Sequence, residues 1–244
     1  DNVFQLCFTD PNQGKTAANF IAEHKLATKI AVIYNNSDDY STGIYQGFKE
    51  AAEGLGLEIV STTTFPEDTT TDFSAQITDA YNNGAEMIFL PIYYTPASNI
   101  LIQASQKGYE FSYFGCDGLD GILTLEGFDT ALAEGVYVLT PFDTASDAAV
   151  SFIEKYKAAT GGEPNQFAAD GYDCIYALYA ACQEAGITED MTADQVCEAL
   201  IAVFTDSGFS VDGLTGSGMQ WGANGEVSKD PLIVQITGGA YVNQ

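Results

Sequence analysis

The chain has 244 residues, of which 46% are hydrophobic, and this composition predicts a folded globular protein rather than a disordered one. Its 34 acidic and eight basic residues give a formal net charge of −26, and every basic residue is a lysine. This balance argues against nucleic-acid binding, because phosphate neutralisation requires clustered Lys and Arg. The apolar runs fall short of the roughly 20 residues that cross a bilayer. The opening Asp1-Asn2 indicates a processed or trimmed N-terminus.

Strands and helices alternate through the first part of the chain. Predicted strands, rich in β-branched and aromatic residues, cover 3–8, 29–34, 57–65, 86–91, 111–116 and 135–140. Predicted helices cover 10–25, 41–54 and 96–107, and a further helix begins near Asp72. Alternating elements of these lengths predict an α/β fold, with a mostly parallel sheet and helices on both faces.

The pattern changes after Pro141. Three helices are predicted at 146–159, 164–184 and 192–203, with no strand between them. Two strands follow at 214–221 and 231–237, and the Gly-Ala-Asn-Gly turn at 222–225 joins them. The helices therefore lack a sheet of their own to pack against.

Catalytic and metal-binding patterns are missing from the sequence. The five cysteines contain no C-x-x-C pair, and the single histidine, His24, has no partner for nucleophilic catalysis in the sequence. There is also no G-x-S-x-G elbow and no phosphate-binding loop. We expect no catalytic residue, no metal and no cofactor, and hence a protein that is not an enzyme.

Tyr40 directly follows the buried strand at 29–34 and precedes a helix. Ligands of open α/β sheets bind outside the carboxyl ends of the strands. Tyr93 and Asp117 follow two later strands and are expected at the same edge of the sheet.

Short motifs along the whole chain carry a resemblance to a known family. They are DPNQG at 10–14, KIAVI at 29–33, DYSTG at 39–43, TDFS at 71–74, YY at 93–94, GCDG at 115–118, AADGYD at 168–173, GMQW at 218–221 and NG at 224–225. In order and spacing they resemble the type I periplasmic solute-binding proteins. The most similar branch is the leucine/isoleucine/valine-binding proteins of branched-chain amino-acid ABC transporters.

The resemblance implies a periplasmic-binding-protein type I fold with one complete, doubly wound lobe. Residues 1–141 and 219–244 would form this C-terminal ligand-binding lobe, and 142–218 would be a helical part of the N-terminal lobe, whose main sheet is missing. Family members carry further residues before the first crossing between lobes, so we interpret the chain as a fragment with half the pocket. Hinges are expected near Thr9, Pro141 and Gly218.

The resemblance also implies roles for individual residues. Asp117 would bind the ligand's ammonium group, at a position where the family commonly has glutamate. Tyr40 and Tyr93 resemble tyrosines that contact the ligand from the second lobe, and Phe167 resembles an aromatic residue that touches it from the first. Tyr94 and Asp170 are further candidates.

The function implied is that of an extracytoplasmic solute-binding component of an amino-acid ABC transporter, which clamps an aliphatic or branched-chain amino acid between two lobes. The implied partners are the amino acid and a membrane permease, with self-association through the incomplete lobe as a further expectation. The protein would lie in the periplasm, or be lipid-anchored on the outer face of a Gram-positive membrane. The sequence leaves one alternative open, a ligand-sensing domain of a receptor or of an amide/urea-type regulator.

Overall fold

A computed structural model describes residues 2–66 and 71–244 of the chain, which divides into two compact units. The first, here called the sheet unit, comprises Asp10–Thr140 and Pro231–Gln244. The second, here called the helical unit, comprises Asp1–Thr9 and Pro141–Asp230. Each unit is therefore assembled from two separate segments of the chain.

A seven-stranded sheet forms the centre of the sheet unit, with the strand order β2-β1-β3-β4-β5-β6-β7. The strands are β1 (Lys29–Asn35), β2 (Glu58–Phe65), β3 (Met87–Leu90), β4 (Ser112–Gly115), β5 (Tyr137–Thr140), β6 (Leu232–Thr237) and β7 (Ala240–Asn243). β1 to β5 pair in parallel, whereas β6 and β7 are antiparallel to their neighbours. The expected mostly parallel α/β sheet is confirmed.

Helices cover both faces of this sheet. They are α1 (Asp10–Glu23), α2 (Asp39–Leu55), α3 (Ser74–Asn82) and α4 (Tyr94–Lys107), and short 3-10 helices occupy Asp117–Leu119, Ile122–Thr124 and Thr130–Ala133. Alternate residues of β1 point to opposite faces, so Ile33 packs with α3 and α4 while Val32 packs with α1 and α2. Both are fully buried, and the sheet unit therefore has a core on each side of its sheet.

Helices α1 and α2 touch backbone to backbone through two glycines. A Cβ atom added to Gly14 would lie 2.1 Å from the carbonyl oxygen of Ile44, and one added to Gly47 would lie 2.3 Å from that of Pro11. No larger side chain fits at either position without separating the helices. The contact therefore fixes α1 against α2.

The helical unit contains α5 (Asp147–Thr160), α6 (Gln166–Glu184) and α7 (Ala193–Phe204). Each begins where a polar side chain accepts a hydrogen bond from a backbone amide in the first turn. These N-cap residues are Ser146, Asn165 and Thr192. Within the part of the chain that the structure describes, no helix combines the length and the apolar character needed to cross a membrane.

The interior of the helical unit is small and partly polar. One apolar cluster surrounds Phe204 and Trp221, and another surrounds Phe142. The buried Lys229 ammonium forms a salt bridge of 2.8 Å with Asp170 and donates to the Thr215 hydroxyl at 2.7 Å. Meanwhile α6 leaves large apolar side chains exposed, namely Ile175, Tyr176, Leu178 and Tyr179.

Two predicted strands are wrong. Residues 3–8 form no strand, although the Gln5 amide donates to the Gly225 carbonyl at 2.8 Å. Residues 214–221 form only isolated bridges, Val211 with Met219 and Trp221 with Val227. Neither segment lies beside a partner over enough residues to build a repeating ladder. The structure also contains β7, which was not predicted.

The observed boundaries differ from the predicted lobes at two segments. Residues 1–9 and 219–230 were expected with the sheet, but they belong to the helical unit. The reason is that the two segments hydrogen-bond to each other. The Trp221 indole donates to the Gln5 carbonyl at 2.8 Å, and Lys229 donates to the Leu6 carbonyl at 3.2 Å. The last boundary consequently lies between Asp230 and Pro231 rather than near Gly218.

Candidate functional site

Three of the predicted site residues meet at the carboxyl end of the parallel strands. Tyr40 lies in the first turn of α2, after β1, and Tyr93 directly precedes α4, after β3. Asp117 begins the 3-10 helix that follows β4. Because β1, β3 and β4 are neighbours in the sheet, their ends bring these residues together.

Tyr40 and Asp117 are joined by a short hydrogen bond. The Tyr40 hydroxyl donates to Asp117 Oδ1 at 2.6 Å and accepts from the Gly118 amide at 2.9 Å. Burial and the nearby Asp117 carboxylate raise the pKa of the Tyr40 phenol well above its usual value, so the phenol keeps its proton. A Cβ atom on Gly118 would lie 2.6 Å from the Tyr40 oxygen, so glycine allows this close approach.

An aromatic wall stands beside the carboxylate. The rings of Tyr40 and Tyr93 stack with their centroids 4.9 Å apart and their planes inclined by 25°. Tyr93 is 48% exposed, whereas Asp117 is only 7% exposed. The site therefore combines a buried anion with an accessible aromatic face.

The start of α2 is held in place by neighbouring strands. Asp38 caps the helix by accepting from the Tyr40 amide at 3.2 Å. The Ser41 hydroxyl donates to the Pro91 carbonyl at 2.5 Å and accepts from the Asn35 amide at 2.9 Å. These bonds tie the first turn of α2 to the ends of β1 and β3, and so they fix the position of Tyr40.

The electrostatics of this edge are acidic. Partial burial, and then the carboxylates of Asp117 and Asp38, raise the pKa of Asp10 from 3.8 to about 6. Asp10 is the first residue of α1. A Cβ atom added to Gly43 of α2 would lie 3.2 Å from the Cβ atom of Asp10. Converging carboxylates favour a cationic group, such as an ammonium, at this end of the sheet.

Two residues near this site, Asp10 and Gln13, were not predicted from the sequence as part of it. Gln13 is fully buried on α1, and its side-chain oxygen accepts from the Asp117 amide at 3.1 Å. The two residues stand three apart and thus share one face of α1. The DPNQG motif at 10–14 and this spacing were the available signals, but nothing in the sequence shows which loop this face meets.

The remaining candidates lie elsewhere. Phe167 is the second residue of α6 in the helical unit, where it is 40% exposed, and its contact with a ligand stays a prediction. Asp170 of the same helix is occupied by Lys229. Tyr94 packs near Gly121, where an added Cβ atom would lie 3.2 Å from its ring.

The described residues, 2–66 and 71–244, contain no group of three or more His, Cys, Asp or Glu side chains arranged to hold a metal ion. The ring of His24 stacks on Phe20 with their centroids 4.0 Å apart, so the histidine serves packing on α1 and its C-terminal end. At the site itself, the Asp117 carboxylate and the Tyr40 hydroxyl offer polar groups beside the aromatic surface of Tyr93.

Comparison with known proteins gives a consistent result along the whole chain. A model of the family described as periplasmic binding protein matches residues 1–240. A curated relative, Leu/Ile/Val-binding protein homolog 3 of Brucella melitensis, is 26% identical over 195 residues, which cover 79% of this chain and 52% of the relative. The chain thus spans about half the length of this relative.

Two solved structures are similar throughout. The leucine-binding protein LivK of Thermotoga maritima has a TM-score of 0.83 and 26% identity, covering 99% of this chain and 67% of its own. LivJ of Streptococcus pneumoniae, a branched-chain amino acid transporter substrate-binding protein solved with isoleucine, has a TM-score of 0.80 and 26% identity, covering 95% and 63%. These relatives are named as binding proteins rather than as enzymes.

Proposed function

This chain belongs to the periplasmic binding protein family, as its motifs predicted, and we propose that it is part of the solute-binding component of an amino-acid ABC transporter. The proposed ligand is an aliphatic or branched-chain amino acid. The named relatives support this choice, since one is a Leu/Ile/Val-binding protein homolog and another was solved with isoleucine. The proposed location is extracytoplasmic, with or without a lipid anchor, and the proposed partner is a membrane permease.

One observation carries the proposal: a buried carboxylate is fixed beside an aromatic wall at the carboxyl edge of the parallel strands. The Asp117 carboxylate would pair with the ligand's ammonium group, while the Tyr40 hydroxyl holds it in place at 2.6 Å. The exposed face of Tyr93 would pack against the aliphatic side chain. Neither step requires a cofactor.

The sheet unit would supply only part of the pocket in the whole protein. Donors for the ligand's carboxylate would come from residues outside this chain, which spans about half of its matched curated relative. Phe167 would add an aromatic contact, and two lobes would close on the ligand about hinges. We accordingly propose that these 244 residues alone bind amino acids weakly or not at all.

Calorimetric titration of the whole protein with L-leucine and L-isoleucine tests the assignment. We expect Asp117→Asn to lower the affinity about 100-fold, because the ammonium would lose its charged partner while remaining buried. Asp120→Asn is the matched control: Asp120 is an equally buried acid in the same loop, but its side chain hydrogen-bonds Tyr241. This control should change the affinity less than about threefold.

Unchanged affinity in Asp117→Asn would show that another group binds the ammonium. The transporter proposal itself would fail if none of the 20 amino acids raised the melting temperature of the wild-type whole protein, since a ligand that binds the native state must stabilise it. Tight binding of L-leucine by the 244-residue chain alone would refute the half-pocket proposal.

A further inference from the structure

Gln13 is a fully buried polar residue that lies behind the candidate site rather than on its surface. Its Oε1 accepts from the Asp117 amide at 3.1 Å, across 104 positions of the chain. We propose that Gln13 is a positioning residue, which fixes the backbone turn that presents Asp117 to the ligand. The inference rests on the proposed function for the role of Asp117, but the geometry it predicts can be measured without any ligand.

The turn at Asp117 is held from two helices at once. Gln13 of α1 accepts from the Asp117 amide, and Tyr40 of α2 accepts from the next amide, that of Gly118, at 2.9 Å. Tyr40 also donates to the Asp117 carboxylate. These are the first two amides of a 3-10 helix, which lack partners inside that helix. The two side chains thus set the backbone and the carboxylate together.

The two helices are in turn fixed against each other. Gln13 precedes Gly14, whose backbone packs on Ile44 and Phe48 of α2, and Tyr40 lies one turn before Ile44. Backbone contact leaves little freedom for α1 to shift against α2. The glycine contact therefore sets the distance between Gln13 and Tyr40. That distance in turn fixes the positions of the two side-chain oxygens that accept from the Asp117 and Gly118 amides.

A glutamine at this position carries a stability cost. Its Nε2 group is buried and has no hydrogen-bond acceptor among the described residues. An unsatisfied buried donor of this kind destabilises the folded state. Methionine would fill similar space without that cost. Packing alone therefore does not account for Gln13, whereas the bond to the Asp117 amide does.

Hydrogen exchange of the Gly118 amide in the 244-residue chain is the decisive measurement. Tyr40, not Gln13, protects this amide, so Gly118 responds to Gln13→Met only if Gln13 positions the turn. We expect Gln13→Met to speed its exchange about tenfold relative to the amides of β3. The matched control is Gln103→Met on α4, because the Gln103 oxygen likewise accepts a backbone amide, that of Phe73, outside the site. In this control Gly118 should be unaffected.

The proposal is overturned if Gly118 exchange is unchanged in Gln13→Met, or if Gln103→Met speeds it equally. If the Gln13→Met variant does not fold, Gln13→Asn is measured instead, with the same expected results. The asparagine side chain is one methylene shorter and does not reach the backbone amide of Asp117. In the whole protein, Gln13→Met should also weaken L-leucine binding about tenfold. If wild-type protein binds no amino acid, the proposed function fails, and the exchange measurement still decides the positioning role.

Discussion

The two units of this protein bury their apolar residues in different ways. In the sheet unit, helices cover both faces of one sheet, and every residue of β3 is inaccessible to solvent. In the helical unit, the apolar residues form two small, separate clusters, a salt bridge is buried, and α6 exposes Ile175, Tyr176 and Tyr179. The sheet unit thus derives its stability from continuous apolar burial, whereas the helical unit depends on a few local contacts.

The difference in burial also means that the candidate site is supported by the larger of the two cores. Asp117, Tyr40 and Tyr93 stand on the ends of strands whose positions are set by the larger core. A site supported in this way keeps its geometry when surface residues change. In the helical unit, by contrast, a single buried cation connects three segments: it contacts Asp170, Thr215 and the Leu6 carbonyl.

The largest expected effect concerns that cation. Lys229→Met should destabilise the helical unit by about 3–5 kcal/mol, because it leaves the Asp170 carboxylate buried without its positive partner. Urea unfolding followed by fluorescence of Trp221, the single tryptophan, reports this unit. Lys157→Met is the control, since its ion pair with Glu163 is largely exposed and should contribute under about 1 kcal/mol. Equal effects in the two variants would refute the polar-interior description.

A matched pair of isoleucines tests the difference in burial directly. Ile33→Ala removes a fully buried side chain from β1 and should cost about 2–5 kcal/mol. Ile175→Ala removes one that is 65% exposed on α6 and should change stability by about 0.5 kcal/mol or less. Denaturant unfolding followed by circular dichroism measures both. A large loss in Ile175→Ala would mean that the exposed face of α6 is buried in solution.

The smallest effect concerns pH. The folded-state pKa of Asp10, about 6, lies above its unfolded value of 3.8, so folding favours the protonated form. Its contribution is fully present below pH 3.8 and is lost as the pH rises to about 6. Asp10→Asn should therefore be more stable than wild type at pH 8, by roughly 1 kcal/mol after allowing for solvent screening of a half-buried group.

Thermal melts of Asp10→Asn from pH 3.5 to pH 8 measure this effect, and the advantage of the variant should vanish at the acidic end. Asp147 is the matched control in the helical unit, because it also occupies the first position of a helix but is exposed. Asp147→Asn should be slightly destabilising at pH 8, since it loses a favourable interaction with the helix dipole. A stabilising Asp147→Asn would show that the effect is not specific to the acidic edge of the sheet.

Local sequence patterns predicted the elements well because burial and caps act over a few residues. The parallel strands and the helices lie within a few residues of their predicted positions. Two of the errors concern long-range pairing: residues 3–8 and 214–221 have strand-like composition without a continuous partner. The third error is local, since β7 was missed although Gly238-Gly239 before it is a hairpin signal. A local sequence pattern does not identify the distant segment with which a strand pairs.

The same limit applies to the site. Tyr40, Tyr93 and Asp117 could be predicted together because adjacent parallel strands end at one edge of a sheet. Gln13 could not, because its role depends on how α1 packs on α2 and on a bond to a residue 104 positions away. The ligand-binding roles of Tyr40, Tyr93, Asp117 and Phe167 came from the family resemblance and stay predictions.

The order of the strands has a consequence for how the protein folds during synthesis. Strand β5 pairs with β6, and residues 141–231 are made between the two. The five parallel strands can assemble early, but the edge of β5 stays unpaired until β6 has been synthesised. Until β6 and β7 arrive, that edge is open to pairing with other chains. Synthesis of β6 and β7 is therefore the step that completes the sheet.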